Sequence, residues 1–422
     1  MKMNLKIKLL LVVLLTAIFA GCAQVPEKPK EVEIPIGVLV DLSGPLTTYG
    51  DDIKTTVTIA SEDLNKYFEK EGKPYRVKLY VEDTKVDPKI TLDKVMALHS
   101  KGVKVIVGPM GSGELKNIIE YVRSNKIVVA SPSSTAETKY IGVTKPEEKK
   151  YVFRFVATDS FQTKAIAKLA QDLGVKAVVI TYIGNAWGKG LDEFGRMEFE
   201  KLEILVKSSV EYPDPPPADF TPYIVTLEGT VNELLKNYTA REVAVVAFSY
   251  EEVATMLAQI KDNSILLNVT WIGCDGTAKS GKVITDVAQK ASKIKLYSTV
   301  SETRGGKTFE ELNSTYYQRK NTTPKSYGLN AYDAAWVLAL SYAQVHSALG
   351  KYDEDAMAEA VPKVALNYSA GIYGNITPVS GEVKLNEFND RIGSEYRIYA
   401  VQEGNWKEVG LWKFATNKIE WS

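Results

Sequence analysis

Two polar, glycine- and serine-rich segments follow short apolar runs and could bind an anion. They are Gly108-Pro109-Met110-Gly111-Ser112-Gly113, after Val107, and Ser131-Pro132-Ser133-Ser134-Thr135, after Ala130. Ser112 is positioned as the N-cap of the helix that follows, and amides at such a helix end favour a carboxylate or phosphate by about 0.3 to 1 kcal/mol. Hydroxyls of Ser133 and Thr135 could complete the site. The alternative is that these residues only cap and turn the chain.

An acid in the second half of the chain could bind the opposite charge. Asp275 lies in Cys274-Asp275-Gly276, directly after the apolar segment Trp271-Ile272-Gly273. Its carboxylate suits a ligand ammonium. The alternative is that it forms a turn, as Asp before Gly often does.

Three aromatic residues stand near the ends of predicted strands. Tyr49 lies beside the loop Asp41-Leu42-Ser43-Gly44-Pro45, Trp187 follows a strand ending at Ile183, and Tyr250 follows a strand ending at Phe248. Their rings could bury the apolar part of a small ligand. Each could instead pack only against its neighbours.

Catalytic and metal-binding patterns are weak. The two histidines, His99 and His346, occupy apolar-looking helical positions, which favours packing over a role as a catalytic base. The Gly276 to Lys282 spacing is that of a phosphate-binding loop, but Val283 stands where Ser or Thr should hold Mg²⁺. No His/Cys cluster has metal-ligand spacing. We therefore predict no enzyme activity, no cofactor and no metal site.

Apolar runs of strand length alternate with helical periodicity along most of the chain. The strand-like runs include Ile36 to Val40, Val103 to Val107, Ala177 to Ile183 and Val243 to Phe248. Helical patterns include Ile53 to Tyr67, Ile166 to Leu173 and Leu329 to Leu349. This rhythm predicts an α/β fold with parallel sheets. It occurs in two rounds, and 422 residues exceed one ordinary core, so we expect two lobes.

Charge and hydropathy exclude some partners. Lys plus Arg and Asp plus Glu number 52 each, so there is no basic surplus for nucleic acid. After the N-terminus no apolar run is long enough to cross a membrane.

The N-terminus carries an export signal. Lys2, Lys6 and Lys8 precede an apolar run from Leu9 to Ala20. Phe19-Ala20-Gly21-Cys22 resembles the lipobox of exported lipoproteins, which implies a signal peptide over residues 1–21, lipid on Cys22 and a tether over residues 22–33. An uncleaved anchor helix and plain secretion are the alternatives.

Several motifs in one order resemble the leucine/isoleucine/valine-binding branch of type I periplasmic binding proteins. They are Ser43-Gly44-Pro45 with Tyr49-Gly50, Gly108-Pro109 with Ser112-Gly113, Ser131 to Thr135, Trp187-Gly188-Lys189-Gly190, Gly273 to Gly276, and Ala331-Tyr332-Asp333-Ala334. The resemblance implies two Rossmann-like lobes with parallel sheets, joined by a multi-strand hinge. We expect residues 34–156 with 300–375 in the first lobe, and residues 157–299 with 376–422 in the second.

The resemblance also implies ligand-binding roles. Ser112 and Thr135 would hold an α-carboxylate, helped by the backbone around Ser133 and Thr135. Asp275 would hold the ammonium, with Tyr250 or its neighbour Ser249 as a second contact. Tyr49 and Trp187 would line the side-chain pocket.

The implied function is that of an extracytoplasmic solute-binding lipoprotein of an ABC importer. It would bind a branched-chain or similar amino acid, present it to permease subunits, and be anchored to the outer face of the cytoplasmic membrane through Cys22. The alternatives are a receptor for another small solute, such as an amide, aromatic acid or short peptide, and a sensory ligand-binding protein.

Overall fold

The computed structural model describes residues 31–422 apart from residues 303, 375 and 394. The predicted signal peptide, Cys22 and most of the predicted tether lie outside these residues. The first strand begins at Val32, slightly before the predicted start at Ile34, because the Val32 amide donates to the Pro74 carbonyl at 2.6 Å. None of the helices in the described part combines the length and the apolar character needed to span a bilayer.

The first half of the chain builds a five-stranded parallel sheet. Its strands are β1 (Val32–Val40), β2 (Tyr75–Asp83), β3 (Val105–Val107), β4 (Val128–Ser131) and β5 (Val152–Arg154), in the order β2-β1-β3-β4-β5. The helices between them are α1 (Thr47–Lys70), α2 (Pro88–Ser100) and α3 (Ser112–Ser124).

The second sheet has eight strands. These are β6 (Ala177–Ile183), β7 (Leu205–Tyr212), β8 (Val243–Phe248), β9 (Thr270–Gly273), β10 (Tyr297–Ser301), β11 (Tyr396–Gln402), β12 (Asn405–Lys413) and β13 (Lys418–Trp421). The order is β13-β12-β11-β10-β9-β8-β6-β7, with β11 to β13 antiparallel. Its accompanying helices are α4 (Asp159–Asp172), α5 (Ala186–Lys201), α6 (Thr221–Leu234), α7 (Val253–Gln259) and α8 (Gly281–Lys293).

Three further helices follow β10: α9 (Lys307–Lys320), α10 (Ser326–Leu349) and α11 (Glu354–Ser369). Helix α10 packs against α1 and against three strands of the five-stranded sheet, so the chain returns there after β10. It then passes back to the eight-stranded sheet at β11.

The central strands are buried on both faces, which explains their unbroken apolar runs. All six residues of β8 and all three of β3 are buried, as expected when helices cover both faces of a parallel sheet. The predicted α/β architecture is confirmed.

A buried ion cluster fixes residues 388–390 against the five-stranded sheet. Arg154 donates to Asp390 through Nε at 2.5 Å and Nη2 at 2.7 Å, and Lys149 Nζ donates to the same carboxylate at 2.7 Å. Part of the segment expected in the second lobe is therefore tied to the first sheet. The predicted division into lobes stays a prediction.

Both sheets place a binding cleft at the same kind of position. In the first sheet, successive strands are added on opposite sides of the point between β1 and β3. In the second sheet, the corresponding point lies between β6 and β8. Ligands of open α/β sheets bind beyond the carboxyl ends of the strands at such points. The loops that follow β1, β3, β6 and β8 are therefore the place to look for a site.

Candidate functional site

One narrow pocket lies between the carboxyl ends of the two sheets, and the space around it that protein atoms do not fill, about 330 Å³, is partly open to solvent. Both sheets contribute to its wall. The lining residues are Leu46, Tyr49, Met110, Gly111, Ser112, Ser133, Trp187, Tyr250, Asp275, Gly276 and Tyr327. The structure thus brings together six of the seven predicted ligand-binding residues, and Ser112 and Asp275 share one crevice.

The seventh, Thr135, is buried and follows the loop after β4. It does not line the cavity, and its hydroxyl lies close enough to Asp159 to lower the pKa of that carboxyl. Ser133 donates its hydroxyl to the Met110 carbonyl at 3.0 Å, which ties the two serine- and glycine-rich loops together.

Ser112 is not the N-cap of α3, as the sequence had suggested. Gly111 takes that position, and the Glu114 side chain accepts its amide hydrogen at 2.6 Å. Ser112 is the first helical residue, and its hydroxyl accepts the Ala136 amide at 3.1 Å and bonds to the Ser134 hydroxyl at 3.0 Å. The Ser112 hydroxyl bonds to the neighbouring loop and does not cap the free amides of its own helix. The N-terminus of α3 still faces the cavity.

Two stacked rings form the aromatic wall. Trp187 and Tyr250 lie 4.5 Å apart with planes 12° from parallel. Asn185 caps α5 by accepting the Trp187 amide at 3.1 Å, and its Nδ2 donates to the Tyr250 hydroxyl at 3.3 Å. Gly276 passes close to this wall, since a Cβ there would lie 2.9 Å from Trp187 and 3.0 Å from Tyr250. Side chains at position 276 would displace the rings.

Tyrosines from the five-stranded side hold Asp275. Tyr327, in the first turn of α10, donates its hydroxyl to Asp275 Oδ2, whereas Oδ1 accepts no hydrogen bond from the described residues. Tyr49 donates to the backbone carbonyls of Asp275, at 3.0 Å, and of Ala278. Burial raises the pKa of Asp275, and the bond from Tyr327 partly opposes that rise.

A second buried acid lies next to Asp275. Asp159, the first residue of α4, is fully buried, and neither carboxylate oxygen accepts a hydrogen bond from the described residues. Its amide donates to the Thr135 carbonyl at 2.8 Å, which places it beside the predicted carboxylate site. Burial, and then the charge of Asp275, raise its pKa well above the usual value.

Asp159 and Tyr327 were not predicted from the sequence. Both lie in the first turn of a helix. The recurring apolar residues from which each helix was predicted begin only later in the helix. The signal that could have found Asp159 is an acid soon after the strand end at Arg154.

Of the two candidates Tyr250 and Ser249, Tyr250 lines the cavity, and Ser249 is buried behind it. The histidines lie elsewhere: His99 Nδ1 is 2.9 Å from the Tyr121 hydroxyl, and His346 Nδ1 is 3.3 Å from the Tyr75 hydroxyl. Within residues 31–422, leaving aside the three undescribed positions, no group of three or more His, Cys, Asp or Glu side chains could hold a metal ion.

Comparisons with known proteins give a family and a fold. The profile of a family described as "Receptor family ligand binding region" matches residues 53–404. The Uncharacterized protein MJ1266 of Methanocaldococcus jannaschii is 47% identical over 412 residues, which cover 95% of this chain and 96% of that one. The Leu/Ile/Val-binding protein BraC3 of Rhizobium johnstonii is 24% identical, over 88% of this chain and 92% of that one.

Among solved structures, the leucine binding protein LivK from Thermotoga maritima is similar, with a TM-score of 0.72 and 20% identity. The match covers 90% of this chain and 98% of LivK. At that identity the likeness shows the fold alone.

Proposed function

The chain belongs to the family of receptor ligand-binding regions, in its type I periplasmic binding protein branch, and we propose that it is an extracytoplasmic receptor for a free amino acid. One observation carries the proposal. The Ser112 and Ser133 hydroxyls and the N-terminus of α3 share a cavity with Asp275, whose Oδ1 accepts no hydrogen bond from the described residues. The two kinds of group suit opposite ends of a zwitterion.

The α-carboxylate binds at the loops after β3 and β4. The amides at the start of α3 carry the positive end of the helix dipole, and Ser112 lies in that first turn. Thr135, in the loop after the adjacent strand β4, lies beside Asp159 just outside the cavity wall, and its hydroxyl would turn to donate to the bound carboxylate. The helix amides are fixed by backbone geometry before the ligand arrives, which reduces the entropy lost on binding.

The ammonium binds to Asp275 Oδ1 and Asp159. Two buried carboxylates without a cation are costly, and a ligand ammonium supplies the missing charge. Arg154, a nearby cation, is paired with both oxygens of Asp390 and only partly opposes the raised pKa of Asp159.

The ligand side chain lies against Leu46, Met110 and the stacked Trp187 and Tyr250. This surface is apolar and aromatic, so a branched-chain or similarly apolar amino acid fits it best. The Leu/Ile/Val-binding name of the Rhizobium relative supports the same class.

Ligand contacts to both lobes favour the closed conformation, because only in that conformation can the ligand contact the two lobes at the same time. In this proposal the protein is a lipoprotein anchored through Cys22, and the closed form is presented to the permease of an ABC importer. The solute-binding relatives support that role.

Isothermal titration calorimetry with the twenty proteinogenic amino acids tests the proposal. The protein is first unfolded and refolded to remove any co-purified ligand. We expect saturable binding of one or a few apolar amino acids, and mass spectrometry of the co-purified material should identify the same compounds. Failure of all twenty to bind would reject the proposed function.

A further inference from the structure

Tripeptides of the form Asn-x-Ser/Thr recur in the second half of the chain. Ser and Thr make up 55 of the 422 residues, so chance would place one of them two positions after only about two of the 18 asparagines. The sequence has six such tripeptides, none with proline in the middle. They begin at Asn237, Asn268, Asn313, Asn321, Asn367 and Asn375. In proteins that leave the cytoplasm, these tripeptides are the acceptors of N-linked glycans.

Three of the five described tripeptides begin at exposed turns. Asn237 follows the end of α6, Asn268 follows the short helical turn Ile265–Leu267, and Asn321 follows the end of α9. All three asparagines are exposed. An enzyme can reach a side-chain amide at such turns without unfolding the element beside it. Asn375 lies outside the described residues.

The other two described tripeptides lie within helices. Asn313 is in the middle of α9, and its half-buried side chain has a buried Oδ1. Asn367 is in the last turn of α11, and the hydroxyl of its partner Ser369 already accepts the Val383 amide at 2.9 Å. Residues two positions apart on a helix do not face each other. The amide and the hydroxyl of these tripeptides therefore point in different directions.

We propose that the protein carries N-linked glycans on Asn237, Asn268 and Asn321. The donor is an oligosaccharide linked to a lipid phosphate, and a separate transferase moves it. A bond forms between the asparagine Nδ2 and the anomeric carbon of the sugar, while the bond from that carbon to the phosphate oxygen breaks. The lipid phosphate leaves and Nδ2 gives up one proton. This inference rests on the extracytoplasmic location in the proposed function.

Two of the three sites lie at the end of the second sheet that is opposite to the cavity. Strands β8 and β9 are parallel neighbours. Tyr250 and Asp275 follow their carboxyl ends, and both line the cavity. Asn237 and Asn268 precede their amino ends. The six residues of β8 alone span roughly 20 Å. Glycans at this end would leave the ligand entrance free, so removing them should not change the affinity for an amino acid.

Peptide mass mapping of the protein isolated from the cells that naturally produce it tests the inference. We expect the peptides that contain Asn237, Asn268 and Asn321 to carry the mass of a glycan. The peptides that contain Asn313 and Asn367 should have the mass of the bare sequence.

Variants made in the same cells test the role of the tripeptide itself. Thr239→Ala should remove the glycan from Asn237, because it removes the hydroxyl of that tripeptide, and Thr239→Ser should keep it. Asn237→Gln should lower the intact mass by one glycan. Asn232→Gln is the matched control, since Asn232 is an exposed asparagine on α6 with Leu234 two positions later. It should leave the glycan mass unchanged.

Several outcomes would overturn the inference. A bare peptide at any of the three turn sites would reject the assignment of that site, and bare peptides at all three would reject the inference as a whole. A glycan on Asn313, or one that persists on Asn237 in Thr239→Ala, would also contradict it. The receptor function would stand in each case, because amino-acid binding is measured separately by calorimetry.

Discussion

At the scale of single residues, the charge of Asp275 decides between ligand classes. Replacing it by Ala should weaken binding of an amino acid by about 2 to 5 kcal/mol, because the ammonium loses a buried, hydrogen-bonded partner. A receptor for an uncharged amide or a simple acid should lose little. Calorimetry of Asp275→Ala measures the difference. Asp286→Ala, at an exposed position on α8, is the control and should bind as the wild type does.

Asp159 should make binding release a proton. Burial and the charge of Asp275 raise its pKa, Glu137 adds to the rise, and Arg154 opposes it. An ammonium favours the ionised carboxylates and so lowers the pKa on binding. Affinity should therefore fall as the pH falls through the raised pKa toward the ordinary Asp value of about 3.9.

Calorimetry in phosphate and in Tris at one pH measures this release, because the two buffers differ in ionisation enthalpy. We expect different apparent binding enthalpies in the two buffers, with a smaller difference for Asp159→Asn. Identical enthalpies in both buffers would show that no proton leaves.

At the scale of elements, Asp333 joins three segments of the chain. On α10, it accepts the Tyr368 hydroxyl of α11 at 3.0 Å and the amides of Val379 and Ser380 at 2.9 Å each. Asp333→Ala would leave these buried donors unpaired and should lower the free energy of unfolding by about 2 to 4 kcal/mol. Thermal and denaturant unfolding measure the loss. Asp93→Ala, at an exposed position of α2, should change stability by less than about 0.5 kcal/mol.

Equal stability of Asp333→Ala and Asp93→Ala would contradict this account. It would mean that the segment after α11 is held by its apolar contacts, with Val379 and Val383 fully buried, and that the carboxylate adds nothing.

The elements also explain what the sequence could and could not predict. Tyr49 and Ser112 could be placed at one edge of the first sheet, and Trp187 and Asp275 at one edge of the second, because each follows the end of a buried strand and parallel strands of one sheet end together. The order of the motifs along the chain then indicated the family, and the matched profile confirms it.

The first turns of α4 and α10 escaped sequence analysis for one physical reason. Their helices were predicted from Ile166 and Leu329, where apolar residues begin to recur, but they start at Asp159 and Ser326. Helical periodicity records the face that packs on the core. Turns that face a cavity carry polar or aromatic residues instead, so they lack that pattern.

At the scale of the whole molecule, the two sides of the cleft contact each other directly. Thr48, in α1, donates its hydroxyl to Glu251 at 2.7 Å, and Ser280 donates to the same carboxylate oxygen at 2.8 Å. Tyr49 adds its bonds to Asp275 and Ala278. Opening the cleft would break these bonds, so they stabilise the closed conformation independently of any ligand contact.

Thr48→Val should therefore shift the protein toward an open form. The substitution keeps the side-chain shape but removes a hydrogen bond to a charged group, which contributes about 1.5 kcal/mol or more when fully protected from water, and less at this partly exposed position. Small-angle X-ray scattering without amino acid should give a larger radius of gyration than for the wild type. Affinity should fall about threefold to tenfold, because part of the binding free energy is used to close the cleft.

Thr55→Val is the matched control. Thr55 lies on the same helix, but its hydroxyl donates at 2.8 Å to the Asp51 carbonyl one turn earlier and contacts nothing across the cleft in the described structure. The two variants change the same atoms at the same helix propensity, so only a cross-cleft effect separates them. If Thr48→Val and Thr55→Val scatter and bind alike, the bond between Thr48 and Glu251 does not contribute to closure, and ligand contacts alone hold the lobes together.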